Sequence, residues 1–405
     1  MSIPGQTMGV SVFTDPLIEA TGMSRFALSN AYLAGTVLSA LSLPRGGRLL
    51  DRFGARATVL FASFGLAGTL LALTSIDRLA RAVHAAFTAA DPVVVGWIAL
   101  ACAFTALRFT GQGMLTMVSR TMLGKWFDRR RGLASGISGI FVAFGFAVAP
   151  LVLDAWIEAA TWRGAWVGMA AVVAGGMGGF GWLLFRDNPE ECGLAMDGAA
   201  PEAAKAPEAT STRAEALRSP AFWALSLALG VHGLVITGFT FHIVDVGAEF
   251  GLSRTEAVSF FLPMAVCSTI TGALVGWAAD RVRIRTLLFV LLGAELLGYG
   301  ATTQLGTPVG FGLAVVGLGV SGGFFGPLAS VALPRFFGRL HLGAIAGMQS
   351  MLLVLGSALG PSALALSRTS TGSYAPGLFV CVALPAAVLA LNVFARHPRD
   401  VPPLA

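Results

Sequence analysis

Several residues that could do chemistry lie inside long apolar runs of this 405-residue chain. Arg108 and Gln112 are four positions apart and would share one helix face. Arg108 could recognise an anion or steer a nearby proton site, or it could be a structural residue satisfied by helix-end carbonyls. His232 could titrate near neutral pH or donate to a carboxylate, or it could be a structural histidine. His242 and Asp245 could form a gate or a proton-access pair, or a solvated helix end.

Four further polar side chains stand on apolar segments. Gln6, Asn30 and Gln349 could face a cavity or could serve packing alone. Glu295 is a carboxylate in an otherwise apolar run, and we expect it to be structural or to lie at a lipid interface.

The composition predicts the elements that hold these residues. Hydrophobic residues make up 55% of the chain and charged residues only 12%. So few charges cannot solvate the surface of a soluble protein of this length, which excludes a soluble enzyme, a secreted disulfide scaffold and a disordered chain. The apolar runs are about 20 residues long, which is typical of membrane-spanning helices.

Twelve such segments are predicted, in two halves of six. The N-terminal half covers residues 1–186, a flexible cytoplasmic linker covers 187–219 and the C-terminal half covers 220–405. The predicted segments are 3–18, 26–46, 56–75, 93–122, 132–156, 163–186, 220–246, 255–279, 285–304, 306–333, 342–365 and 374–395.

Topology follows from the basic residues. Most of the 27 Lys and Arg residues fall on one side of the predicted segments, which places that side and both termini in the cytoplasm. We therefore predict a multi-pass protein of the inner (plasma) membrane. The first segment is short for a span, so it is either truncated by a misassigned start codon, which we expect, or an anomalous first helix.

The two halves repeat each other in sequence. Gly22, Ser24 and Arg25 align with Gly251, Ser253 and Arg254, and the charged residues near positions 51 and 280 align as well. Two parallel six-helix repeats are the plan of the major facilitator fold, with a substrate site between the halves. The fold class expected is therefore an all-α membrane protein of twelve helices.

A ten-residue motif in the first half supports this fold. The stretch GRLLDRFGAR resembles the major facilitator motif between helices 2 and 3, and a degraded copy, GWAADRVRIR, follows in the second half. Its acidic residue could hold the cytoplasmic side shut by pairing with basic groups or a helix N-terminus in the opposite half. The predicted gate residues are Gly47, Asp51, Arg52, Gly54, Arg56, Gly276, Asp280 and Arg281.

A second motif, WFDRRRGLASG, resembles the signature that opens helix 5 of monocarboxylate porters and their bacterial oxalate/formate relatives. Arg129 and Arg130 belong to it and join the predicted gate. The resemblance implies a secondary transporter for a small organic anion such as a monocarboxylate, by alternating access, with protons as a candidate coupling ion. The eighth segment lacks the Asp and Arg of those porters, so an anion would depend on Arg108 and the histidines.

An efflux transporter for an amphipathic drug or metabolite is the alternative. The sequence contains no nucleotide-binding loop, metal-ligand spacing or nucleophile motif, so no enzyme activity, cofactor, metal site or nucleic-acid partner is predicted. The expected partners are a small-molecule substrate, protons and the lipid bilayer, with the monomer as the working unit.

Overall fold

The computed structural model describes residues 2–86, 91–198 and 210–395, and these residues are helical with no strand among them. The helices are α1 Thr7–Ser11, α2 Thr14–Thr21, α3 Arg25–Leu73, α4 Ile76–Ala86, α5 Pro92–Leu107, α6 Thr116–Trp126, α7 Arg131–Val172, α8 Gly179–Leu184, α9 Arg213–Arg218, α10 Pro220–Phe241, α11 Ile243–Glu249, α12 Arg254–Ser259, α13 Phe261–Ala279, α14 Ile284–Ala301, α15 Pro308–Phe337, α16 Leu342–Thr371 and α17 Ala375–Phe394. Wider π-helical turns at Arg108–Leu115 and Val173–Gly178 continue α5 and α7.

Nine helical stretches within the described ranges are long and apolar enough to cross a membrane. Two of them contain a break, at Gly54 in α3 and at Thr161 in α7, where the backbone leaves the helical region. The first predicted segment, 3–18, is a series of short helices, none longer than the eight residues of α2. The all-helical fold is confirmed for the described residues, and the count of twelve stays a prediction.

The break at Gly54 has a local cause. Its φ of +79° and ψ of 171° lie in a region that residues with a side chain avoid. The carboxylate of Asp187 fills the space where a Cβ would stand, and it accepts a hydrogen bond from the amide of Ala55. Asp187 therefore caps the helix that resumes after the break, which explains why a glycine stands at this place in the motif.

Contacts between helices divide the described chain into two compact units. The first contains the described residues within 1–122, 142–192 and 346–351, and the second contains those within 123–141, 193–345 and 352–405. Each has its own core, built around Phe13, Leu66 and Phe104 in the first and around Phe239 and Leu318 in the second. The division into halves at 186 and 220 stays a prediction.

Many large apolar side chains point away from these cores. Phe144 on α7, Leu262 on α13 and Phe394 on α17 are 71%, 75% and 82% exposed. In water such surfaces would drive aggregation, whereas in a bilayer they contact lipid tails. The outward apolar faces therefore agree with a membrane location.

Candidate functional site

Arg108 lies in the π-helical turn after α5 and is 2% exposed. One guanidinium nitrogen, Nη1, donates to the carbonyl oxygen of Gly5 at 3.2 Å and to the hydroxyl of Thr7 at 3.3 Å. The guanidinium also stands 5.3 Å from the centre of the Tyr32 ring. These partners are all neutral, and Nε has no hydrogen-bond partner. Within the described ranges, Arg108 is thus a buried cation without a carboxylate contact.

The N-terminal segment reaches Arg108 through a close backbone contact. A Cβ at Gly5 would lie 2.5 Å from the Cα of Gly111, so neither position has room for a side chain. Gln112, one residue further, has a buried side-chain oxygen without a partner. The structure thereby places an unneutralised cation and an unsatisfied amide on the same short stretch.

The other predicted cavity residues are spread over the first unit. Gln6 is half-buried beside Thr7, and its amide nitrogen donates to the Ser2 hydroxyl at 3.4 Å. Asn30 is half-buried on α3, two residues before Tyr32. Gln349 is 5% exposed on α16, and its side-chain nitrogen has no partner. Their role in a cavity stays a prediction.

His232 on α10 contacts Glu295 on α14. Nδ1 of the histidine and Oε1 of the carboxylate are 2.6 Å apart, and both side chains are buried. The sequence predicts that Glu295 is structural or lies at a lipid interface; its exposure of 0% excludes the lipid interface and leaves the structural alternative a prediction. Only the packing of α14 against α10 reveals this pair, because 63 residues separate its members.

At the end of α10, both ring nitrogens of His242 lie within hydrogen-bonding distance of other groups. Its Nε2 lies 3.0 Å from the carbonyl oxygen of Pro361 and must donate to it, because a carbonyl only accepts. Nδ1 is then free to accept from the hydroxyl of Tyr374 at 3.2 Å. Asp245 is exposed, with its carboxylate 3.9 Å from Nδ1. The geometry is that of a helix-end clamp, and the gate or proton-access role stays a prediction.

Glu249 extends this clamp to the start of α17. Burial opposes its ionisation, yet hydrogen bonds from the Ser373 hydroxyl and the Tyr374 amide, together with the nearby charge of Arg368, lower the pKa of this carboxyl below its ordinary value. Glu249 therefore stays ionised and holds the turn before α17 to the end of α11.

In the second copy of the gate motif, the Asp280 side chain contacts the start of α7. Oδ1 of Asp280 accepts from the amide of Gly132 at 2.6 Å, and Oδ2 accepts from the amide of Leu133 at 3.0 Å. The carboxylate thus caps the first turn of α7, where the helix dipole favours a negative charge. Burial still raises the pKa of Asp280 above its ordinary value, although these two amides oppose the rise.

Glycines make that contact possible. A Cβ at Gly276 would lie 2.8 Å from the carbonyl oxygen of Gly132 and 2.9 Å from the Cα of Gly136. Helices α7 and α13 therefore touch backbone to backbone just beside the Asp280 carboxylate. The neighbouring Arg281 stacks on its own helix, 4.4 Å from the ring centre of Trp277.

In the first copy of the motif, Gly47 is buried, and a Cβ at Gly347 on α16 would stand 3.3 Å from its Cα. Asp51 is half-buried, and Arg52 is exposed with its guanidinium 5.2 Å from the Phe53 ring centre. Arg56 follows the break and lies 5.6 Å from the ring of Trp182.

The side chains of Arg129 and Arg130 are exposed, and it is their backbone amides that contact another residue, Asp197. They donate to the carboxylate of Asp197 at 2.9 and 3.2 Å, joined by the amide of Asp128 at 3.3 Å. Asp197 therefore ties the first part of the predicted linker to the turn before α7. A single loop aspartate has no sequence pattern that predicts such a contact.

Taken together, the described helices define a multi-pass membrane protein with a buried, unneutralised arginine and repeated glycine-rich helix contacts. A sequence model of the Major Facilitator Superfamily matches residues 2–361. The chain belongs to that superfamily.

Two curated relatives are similar to part of the chain. Monocarboxylate transporter 11 of Mus musculus is 32% identical over 150 residues, which is 35% of this chain and 32% of the relative. The oxalate:formate antiporter of Oxalobacter formigenes is 24% identical over 150 residues, 37% of this chain and 31% of the relative. The chain thus aligns with about a third of the length of each.

Among solved structures, a bacterial homologue of the iron transporter ferroportin in an outward-facing state superposes with a TM-score of 0.72. Sequence identity is 16%, and the match covers 97% of this chain and 96% of that one. At this identity the likeness shows the fold alone. Together with the family match it confirms the predicted major facilitator fold.

Proposed function

We propose that this protein is a secondary active transporter that moves a small organic anion, such as a monocarboxylate, by alternating access. Both curated relatives carry the names of carboxylate transporters, although each aligns over only part of its length. The single observation that carries the proposal is the state of Arg108, which is buried and in contact with neutral partners within the described residues.

A guanidinium has five N–H donors in a planar fork that fits a carboxylate with two parallel hydrogen bonds. In Arg108 one nitrogen contacts the Gly5 carbonyl and the Thr7 hydroxyl, and Nε has no partner. Leaving such a charge unneutralised in an apolar surrounding is costly, whereas an anionic substrate would supply the missing negative charge. The orphaned oxygen of Gln112 could accept from a hydroxyl or a protonated acid on the same substrate.

The contact around Asp280 supports the gating part of the proposal. Its carboxylate and the glycines at 132, 136 and 276 hold α7 and α13 together at one end. The bias of basic residues supports a cytoplasmic position for this end and for both termini, in a plasma membrane. Opening and closing of this contact would be one step of alternating access.

A ligand-stabilisation screen tests the substrate class. Purified protein in detergent is heated with oxalate, formate, lactate or the amphipathic cation tetraphenylphosphonium, with sodium chloride at matched ionic strength as the control. We expect one or more carboxylates to raise the midpoint of unfolding in a saturable manner, with about 2.7 kcal/mol of stabilisation at a ligand concentration 100 times Kd. A response to the cation alone would favour the efflux alternative and would overturn the anion proposal.

A further inference from the structure

The pair formed by His232 and Glu295 is a second buried ionisable site, separate from Arg108. It joins the middle of α10 to the middle of α14 across 2.6 Å. The Glu295 side chain has no exposure, whereas the His232 side chain keeps 7%. The histidine is therefore the member of the pair that a proton can reach.

Among the described residues, the helices packed around the pair place no further charged side chain against it. The Phe325 ring of α15 stacks on the His232 ring, with centres 5.4 Å apart. Tyr299, one turn along α14, and Cys381 on α17 are the titratable side chains that face Glu295, and both are neutral groups near pH 7. The arginines of α14 and α15 lie elsewhere: Arg285 donates to the carbonyl of Val393 and Arg335 to that of Ala279.

The short distance limits how protons are distributed. An N–O separation of 2.6 Å requires one proton between Nδ1 and Oε1. If His232 holds no other proton, the pair has a net charge of −1. If a second proton is bound at Nε2, the net charge is zero. The pair is then either an imidazolium with a carboxylate or a neutral imidazole with a carboxylic acid. The two states differ by one proton.

Burial decides between these states. A net negative charge in an apolar site without a cation is costly, and the neutral state removes that cost. Oε2 of Glu295 and the hydroxyl of Tyr299 both lack a hydrogen-bond partner, so no donor compensates a bare carboxylate. The pair therefore keeps its second proton as long as water is excluded from it. Entry of water between α10 and α14 would allow this proton to leave.

We propose that His232 and Glu295 form the site that binds and releases the coupling proton of the transport cycle. The proton arrives at Nε2 of His232 and leaves by the same atom, and the Nδ1–Oε1 hydrogen bond shares it with Glu295. The proposal rests on the proposed transport function, and it names the pair that would link a proton gradient to substrate movement.

Two transport modes in proteoliposomes separate coupling from folding. Radiolabelled oxalate, formate and lactate are the probes. Accumulation driven by an imposed pH gradient needs proton binding and release, whereas counterflow exchanges anion for anion without net proton movement. For Glu295→Gln and His232→Gln we expect gradient-driven accumulation to fall by about 5- to 150-fold, the usual range of a site-to-site coupling. Counterflow should stay close to the wild-type rate.

Glu19→Gln is the matched control, because Glu19 is an exposed carboxyl on α2, and it should leave both modes unchanged. The exchange variant His232→Glu with Glu295→His keeps both groups and should regain part of the accumulation if the single variants fold poorly. Gradient-driven accumulation at the wild-type level in Glu295→Gln would overturn the proposal.

Infrared spectroscopy tests the pair without any substrate. In a pH titration of the purified protein we expect one carboxylic-acid C=O signal that is present in wild type and Glu19→Gln and absent in Glu295→Gln. Its titration should shift in His232→Gln. If wild type transports none of the three probes, the proposed function fails while this titration still decides the pair. Identical titrations in wild type and Glu295→Gln would overturn the proton site.

Discussion

Replacing Arg108 with glutamine is expected to weaken binding of a carboxylate substrate by about 30- to 4,000-fold, which corresponds to the roughly 2–5 kcal/mol lost when one member of a buried charge pair is removed. The same change should leave the melting temperature of the empty protein equal to or above that of wild type. Glutamine can keep a hydrogen bond to the Gly5 carbonyl or the Thr7 hydroxyl, and it removes an unneutralised buried charge. Ligand titration by thermal shift measures both quantities in one experiment.

Arg163→Gln is the matched control. Arg163 already pairs with Asp77 at 3.1 Å, its side chain is 41% exposed, and we expect no change in carboxylate affinity. Arg108→Lys should recover only part of the binding, because an ammonium lacks the planar fork of donors. The structural alternative for Arg108 makes the opposite prediction: a lower melting temperature in Arg108→Gln with carboxylate affinity unchanged.

Replacing Gly276 with valine should open the contact between α7 and α13. Its Cβ would collide with the backbone of Gly132 and Gly136, which is costly because backbone cannot move aside. Overpacking of this kind costs about 1–3 kcal/mol, or roughly a 5- to 150-fold shift in population away from the packed arrangement. Ser135, which is 4% exposed beside the contact, reports the change. In a background without the native cysteines, Ser135→Cys should react faster with a water-soluble maleimide by a similar factor.

Gly293→Val is the control for this experiment, since no atom lies within 4 Å of a Cβ at that helical position. The rate at which the maleimide alkylates Ser135→Cys should be the same with and without the Gly293→Val substitution. Asp280→Asn should have a weaker effect than Gly276→Val, because it removes the charge of the helix cap and leaves the steric fit intact. Unchanged reactivity in Gly276→Val would show that the glycine contact does not hold this end closed.

The sequence predicted much of the fold because apolar runs and basic loops follow directly from lipid and water on either side of a helix. It also singled out Arg108, His232, Gly54 and Asp280, since a charge in an apolar run and a glycine beside a charged motif are visible without a structure. The sequence did not predict which residues these four would contact. Tyr32 stands 76 positions from Arg108 in the sequence, and nothing in its neighbourhood sets it apart.

Glu295 shows why pairings escape sequence analysis. On its own helix it is a single carboxylate with no periodic pattern, and both the lipid-facing and the buried orientation fit the sequence. Its burial follows from the packing of α14 with α10, which depends on side chains all along both helices. The capping roles of Asp187 and Asp197 were hidden for the same reason, because each meets a helix start more than 60 residues away.

Counterflow in proteoliposomes is the most direct test of transport of a small organic anion. Vesicles containing the purified protein are loaded with unlabelled oxalate, formate or lactate and diluted into the same anion in radiolabelled form. We predict a transient, saturable uptake of label for at least one of these anions, absent from empty vesicles and strongly reduced in Arg108→Gln. No uptake of any carboxylate, together with exchange of labelled tetraphenylphosphonium, would contradict it.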